Sequence, residues 1–254
     1  MKKQIFSVLS ALTAGFALEL RAQDVNGDGL VTYLVPISVP QAVHGALGTT
    51  WQTELWIHNG ADLPVMLGGC GGFVPCLRPY HSPGVTEQAS EVGSNLGSMI
   101  FDLNASGAGN VTFSSRLFEL SRHTQPAGVQ MPVVREERFF TRTSRFIGIS
   151  GSSASRVALR VYDPRRRVGG AVRVEILDEN DVVLADNTLS LNYSDSVWEP
   201  GYAAIYDIAT SFPKIAGIQR FDIRVTPLVA GMEYWALVSV TDQETQQVLL
   251  ITAD

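Results

Sequence analysis

Apolar side chains return at every second position in short runs along this chain, and that spacing confines it to extended strands with one buried face. In "WQTELWIHN", Trp51, Thr53, Leu55 and Ile57 fall on one face and Gln52, Glu54, Trp56 and His58 on the other. "RVALRVYDP" sets Val157, Leu159 and Val161 against Arg156, Arg160 and Tyr162. "RFDIRVTPL" turns Phe221, Ile223 and Val225 inward. In "EYWALVSVTD", Tyr234, Ala236, Val238 and Val240 share a face, with Trp235 and Leu237 opposite. "AVRVEILDENDVVLADNTLSLN" reads as a hairpin whose first strand buries Val172, Val174 and Ile176. Runs this short, separated by Gly, Pro, Asn and Asp, imply an all-β antiparallel sandwich. One helical turn is expected in "AAIYDIATSFP", ended by Pro213.

A weak internal repeat divides the chain. "TTWQTELWIHNGADLPVML" matches "SASRVALRVYDPRRRVGGAVRV" in pattern: an alternating strand, an Asn or Asp, then a loop into another strand. "VTFSSRLFELSRHTQPAGVQMPVV" and "EYWALVSVTDQETQQVLLITA" each read as strand, polar turn and closing strand. Two tandem β-sandwich domains follow, at residues 33–140 and 141–254, joined within 133–146.

The first residues set the compartment. Lys2 and Lys3 form a basic start, Ile5 to Leu18 is apolar and uncharged, and Ala22 is small, the order of a secretory signal peptide at 1–22. The apolar run is shorter than the ~20 residues a spanning helix needs. Residues 23–32 are expected to be a flexible N-terminal segment. Cleavage after Ala22 removes three basic residues and one acidic residue, taking the formal charge from −6 to about −8. That balance argues against nucleic acid or an anionic membrane as partner. The expected location is secreted, extracellular or periplasmic, with no membrane span in the mature chain. Cys70 and Cys76, in "GGCGGFVPCLRP", are close enough to close a small disulfide loop in an oxidising compartment.

"YLVPISVPQAVHGALGTTWQTELWIHN" resembles the opening of secreted tandem β-sandwich (Ig-like) proteins of Acidobacteria and related soil bacteria, as "SSRLFE" with "GVQMPVV" resembles their closing hairpin. "SRVALRVYDP" and "YWALVSVTDQETQQVLLITA" resemble the first and last strands of the second unit, although Arg156, Val157 and Ala158 replace the usual Arg-Thr-Asn. The resemblance implies an Ig-like fold and export, and carries no activity.

"DVNGDGLVTYLV" opens like a calcium loop, with Asp24, Asn26 and Asp28 at alternate positions. The twelfth position, where such loops place a bidentate carboxylate, is Val35, and Pro36 and Pro40 favour a strand over an exiting helix. An exposed turn is expected, with weak calcium binding the alternative and no other cofactor. The hairpin tip Asp178, Glu179 and Asp181 is read the same way.

Nucleophile-elbow, zinc-helix and phosphate-loop motifs are missing from the sequence, and His44, His58, His81 and His123 are scattered. The expected function is therefore non-catalytic: a structural or adhesion-like interaction module of the cell exterior, its partner a protein or polysaccharide. A carbohydrate-binding module is the alternative and a secreted hydrolase a distant third. Trp56 and His58 on one strand face, and Trp198 and Tyr202 in "VWEPGY", are the candidate ligand platforms. Asn104, Asn110 and Asn192 head Asn-x-Ser/Thr sequons that matter only in a glycosylating host.

Overall fold

Each alternating run quoted above forms a strand. The computed structural model describes residues 27, 29–39, 41–45, 48–62, 65–68, 78–81, 86–88, 97–121, 128–166, 169–196 and 198–253. The first half holds β1 (Leu30–Val35), β2 (Val43–His44), β3 (Thr50–Asn59), β4 (Val65–Gly68), β5 (Arg78–His81), β6 (Thr86–Gln88), β7 (Met99–Asn104), β8 (Val111–Glu119), β9 (Val129–Met131) and β10 (Val134–Arg135). The second holds β11 (Ser144–Ser150), β12 (Ser155–Asp163), β13 (Ala171–Leu177), β14 (Val183–Ser190), β15 (Gly201–Ile205), β16 (Arg220–Pro227), β17 (Trp235–Asp242) and β18 (Val248–Thr252).

These strands make four antiparallel sheets, two per half of the chain, an all-β arrangement consistent with two β-sandwiches. Sheet I runs β10-β1-β7-β4-β5, and sheet II runs β2-β3-β8-β9 with β6 also on β3. Sheet III runs β11-β16-β13-β14 and sheet IV runs β15-β12-β17-β18. The halves repeat one order: β1-β7-β4-β5 corresponds to β11-β16-β13-β14, and β6-β3-β8-β9 to β15-β12-β17-β18.

The repeat extends to register. Across β3 and β8, Trp51 pairs with Glu119 and His58 with Thr112. Across β12 and β17, Ser155 pairs with Asp242 and Tyr162 with Trp235, which is the same offset. The Asn or Asp noted in the sequence repeat has one local job in both halves. Asn59 Oδ1 accepts the Ala61 N–H at 2.9 Å, and Asp163 Oδ1 accepts the Arg165 N–H at 2.9 Å. Each side chain thereby satisfies a backbone donor in the turn that leaves the strand. Glu119 and Asp242 do likewise for Ser121 and Glu244.

Alternation places a core between each pair of sheets. Val31, Leu55, Ile57, Phe101 and Leu103 build the first, and Phe146, Leu159, Val174, Ile223 and Val238 the second. A third apolar cluster joins the halves, with Leu34, Ile100 and Met131 from the first packed against Tyr162, Trp235 and Leu237 from the second. The outer face of sheet III is charged: Arg145 pairs with Asp222, and Arg224 Nε donates to Glu175 Oε2 at 2.7 Å.

Two local expectations need correction. Leu30, Val31 and Thr32, expected in a flexible segment, belong to β1, because Val31 and Thr32 pair with Leu103 and Asp102 and are buried. The turn expected over "AAIYDIATSFP" is shorter: Ala203–Ile205 close β15, α-helix occupies only Ile208–Ser211, where the Asp207 carboxylate caps the Ala209 N–H, and Pro213 opens a 3-10 turn, Pro213–Ile215. A second helical turn, Ala105–Ala108, carries no period-3.6 signal in the sequence. The proposed signal peptide, Asp24, Asn26, Asp28, Cys70, Cys76 and His123 lie outside the described residues.

Candidate functional site

Trp56 lies within β3, on the outer face of sheet II, and is 38% exposed. Its register partners are Ser114 on β8 and Gln88 on β6, both polar. Glu54 faces Arg116 and His58 faces Thr112 on that same surface, so the ring stands among polar neighbours. The strand pairing behind it is continuous from Trp51 to Asn59, which holds the platform on a rigid element. Trp56 and His58 therefore share a face, as their spacing predicts.

Trp198 and Tyr202 do not form a second exposed platform. The Trp198 ring stands edge-on to Phe101, centroids 6.2 Å apart at 63°, and its carbonyl accepts the Ile100 N–H at 2.8 Å. The Tyr202 ring packs on Tyr162 at 5.4 Å, and its hydroxyl bonds that of Tyr206 at 3.3 Å. Burial pushes the Tyr202 phenol above its ordinary pKa, and the Tyr206 hydrogen bond adds to the rise. Both rings serve the contact between the halves, a role that "VWEPGY" alone does not reveal.

That contact has a polar centre. Arg165 donates from Nε to Glu233 at 2.8 Å, from Nη1 to Thr32 Oγ1 at 2.8 Å and from Nη2 to Glu136 at 2.7 Å. The Glu136 side chain is fully buried, and it also accepts the Thr32 N–H at 3.2 Å. Burial opposes the Arg165 charge, but hydrogen bonds to Glu233 and Glu136 outweigh it and raise its pKa. Tyr162 adds a buried hydrogen bond from its hydroxyl to the Pro36 carbonyl. The chain passes between the halves at Phe140, whose N–H donates to the Tyr234 carbonyl at 2.6 Å and whose carbonyl accepts the Tyr234 N–H at 2.9 Å.

Beside this contact lies a cleft of about 260 Å³. Its floor is the outer face of sheet IV, with Arg156, Ala158 and Arg160 from β12 and Ser239 and Thr241 from β17. Ile37, Val39, Trp51 and Leu117 of the first half form the opposite wall. Arg160 Nη1 donates to Ser239 Oγ at 3.1 Å, and the Trp51 indole N–H donates to Thr49 Oγ1 at 2.9 Å. Sequence reasoning passed over this site. Its one signal was a pair of arginines on either side of an alanine in an otherwise apolar strand.

The acidic hairpin tip is a turn held by its own backbone: Asp178 Oδ1 accepts the Asn180 and Val182 N–H groups at 2.8 and 2.9 Å, which lowers its pKa. Among the described residues no three His, Cys, Asp or Glu side chains are grouped to hold a metal, and no helix is long and apolar enough to cross a membrane. Comparison of the chain with models of known protein families, with curated proteins and with solved structures returns no match.

Proposed function

We propose that this chain is an exported, non-catalytic β-sandwich protein that acts as an interaction module at the cell exterior, binding a protein or a polysaccharide. One observation carries the reading: a tryptophan 38% exposed in the middle of a continuously paired strand, among polar neighbours. Leaving a large aromatic in water forgoes the stabilisation of burying it, and a rigid exposed indole is the usual anchor of a recognition surface. Because an aromatic face stacks on the C–H face of a sugar ring, carbohydrate binding through Trp56 and His58 is the second reading.

Export rests on the charged, apolar and small-residue order of positions 1–22, and a Cys70–Cys76 disulfide on that export and on their spacing. A division of the chain into two domains between β10 and β11 draws support from the repeated strand order, the first starting with β1 at Leu30. The kinship with secreted tandem Ig-like proteins rests on the motifs quoted above and on the inner strands. β12 beside β15, and β13 between β16 and β14, follow the B–E and F–C–C′ neighbours of an immunoglobulin domain. The end strands differ, since β17 flanks β12 and β11 flanks β16.

The test is binding of the mature chain to a glycan array, repeated with Trp56→Ala. Retention of particular glycans that is lost in the variant supports the carbohydrate reading. Cleavage of a retained glycan would contradict a non-catalytic role.

A further inference from the structure

The geometry points to the cleft between the halves as a binding site for a short acidic saccharide, its carboxylates held by Arg156 and Arg160. The cleft is separate from the Trp56 face, so its failure leaves the reading above intact. The two arginines project from the same face of β12, four residues apart, which is about 13 Å along a strand rising roughly 3.3 Å per residue. Ala158 lies midway between them with Ser239 as its partner on β17, so the floor is lowest between the two charges. That spacing fits one sugar ring over the alanine with an acidic group towards either arginine. A cleft of about 260 Å³ falls just below the roughly 300–1,000 Å³ of drug-sized sites, so one or two rings fill it.

Charge selects the ligand class. Among the described residues lining the cleft none is acidic, and neither Arg156 nor Arg160 forms an ion pair. Arg165, a short way along the same contact, meets two carboxylates. The protein therefore neutralises one arginine of the contact and leaves two uncompensated. Arg160 is steadied by the neutral hydroxyls of Ser239 and Tyr202, which leave part of its five-donor fork for a carboxylate. A cation partly withdrawn from water gains most from an anion brought to it.

The rest of the lining suits a sugar better than a peptide. β12 is paired on both sides, with β15 and β17, so the floor offers no strand edge for a peptide to extend. The Trp51 N–H is already engaged by Thr49, which leaves the ring as an apolar wall. Ser239 and Thr241 add hydroxyls beside that wall, the mixture of C–H and O–H contacts a saccharide presents.

Titration calorimetry of the full mature chain tests this with digalacturonate and dimannuronate against neutral galactobiose. At least one acidic disaccharide should bind, at least about tenfold more tightly than galactobiose, the size expected of charge-assisted hydrogen bonds. Arg156→Gln combined with Arg160→Gln should abolish that binding, as should Ala158→Leu, which fills the floor without changing charge. Lys214→Gln, which removes an exposed cation outside the cleft, should leave it unchanged, and melting curves report whether each variant folds. If the arginine variant does not fold, Ala158→Leu and the fall of affinity with added salt decide. Equal binding of galactobiose, no binding of either acid, or binding that survives Ala158→Leu would overturn the proposal.

Discussion

The outer faces of β3–β8 and β12–β17 are the same surface twice, built on equivalent strands in one register, and they have opposite fates. On the first, Trp56 faces Ser114 and Glu54 faces Arg116, and the surface meets water. On the second, Tyr162 faces Trp235 and Arg160 faces Leu237, and the other half of the chain covers that end of the sheet. In the shared register Trp56 corresponds to Arg160 and Glu54 to Ala158. A repeated strand order thus fixes which residues face outward, while side-chain chemistry decides whether the face becomes an internal contact or a free surface.

The largest test of that contrast compares two tryptophans. Trp235→Ala removes a ring only 2% exposed and should cost about 3–5 kcal/mol in urea unfolding, because the two halves close poorly over the gap. Trp56→Ala, on the equivalent surface, should cost under about 1 kcal/mol. Equal costs would mean that the two faces do not differ in burial.

Next comes the polar centre of the contact. Arg165→Met leaves the buried Glu136 carboxylate without its cation and should cost about 2–3 kcal/mol, less than a fully buried pair because the Arg165 side chain keeps 17% exposure. Adding Glu136→Gln to that variant should recover part of the loss. If the double variant is no better than the single, charge burial is not what Arg165 relieves.

The smallest effect appears in alkali and falls mainly on the second half. Burial raises the pKa of Tyr162, Tyr193, Tyr202 and Tyr234 there, against Tyr33 among the described side chains of the first half, and Tyr234 reaches about 12. Below the ordinary value of 10.0 these phenols are protonated whether folded or unfolded, and their contribution is intact. As pH rises beyond it the unfolded chain loses protons first, so stability should fall through the window up to about 12. Tyr234→Phe should flatten that fall. An unchanged slope would show that Tyr234 ionises as readily in the native protein as in the unfolded one.

Much of the fold was legible because alternation is local. Strands β3, β12, β16 and β17, the β13–β14 hairpin, the paired segments of the repeat and the shared face of Trp56 and His58 follow from period two, whereas β7 was not read and β15 was read as part of a helical turn. Trp235 and Leu237 were visible as an apolar pair on the wrong side of β17, but what covers them was not. The contact between the halves depends on residues far apart in the chain: Arg165 with Thr32 and Glu136, Tyr162 with Pro36, Trp198 with Phe101. No spacing rule links such positions, and for the same reason Trp198 and Tyr202 read as surface aromatics. The cleft was hidden twice over, because its floor and its wall come from different halves.

The most direct test of the central claim is hydroxyl-radical footprinting of the intact mature chain, with oxidation followed at each tryptophan by mass spectrometry. Trp56 should be modified well ahead of Trp235, because it is 38% exposed against 2%. Modification of Trp235 as fast as Trp56 would contradict the claim that one of two equivalent faces is closed and the other free to bind.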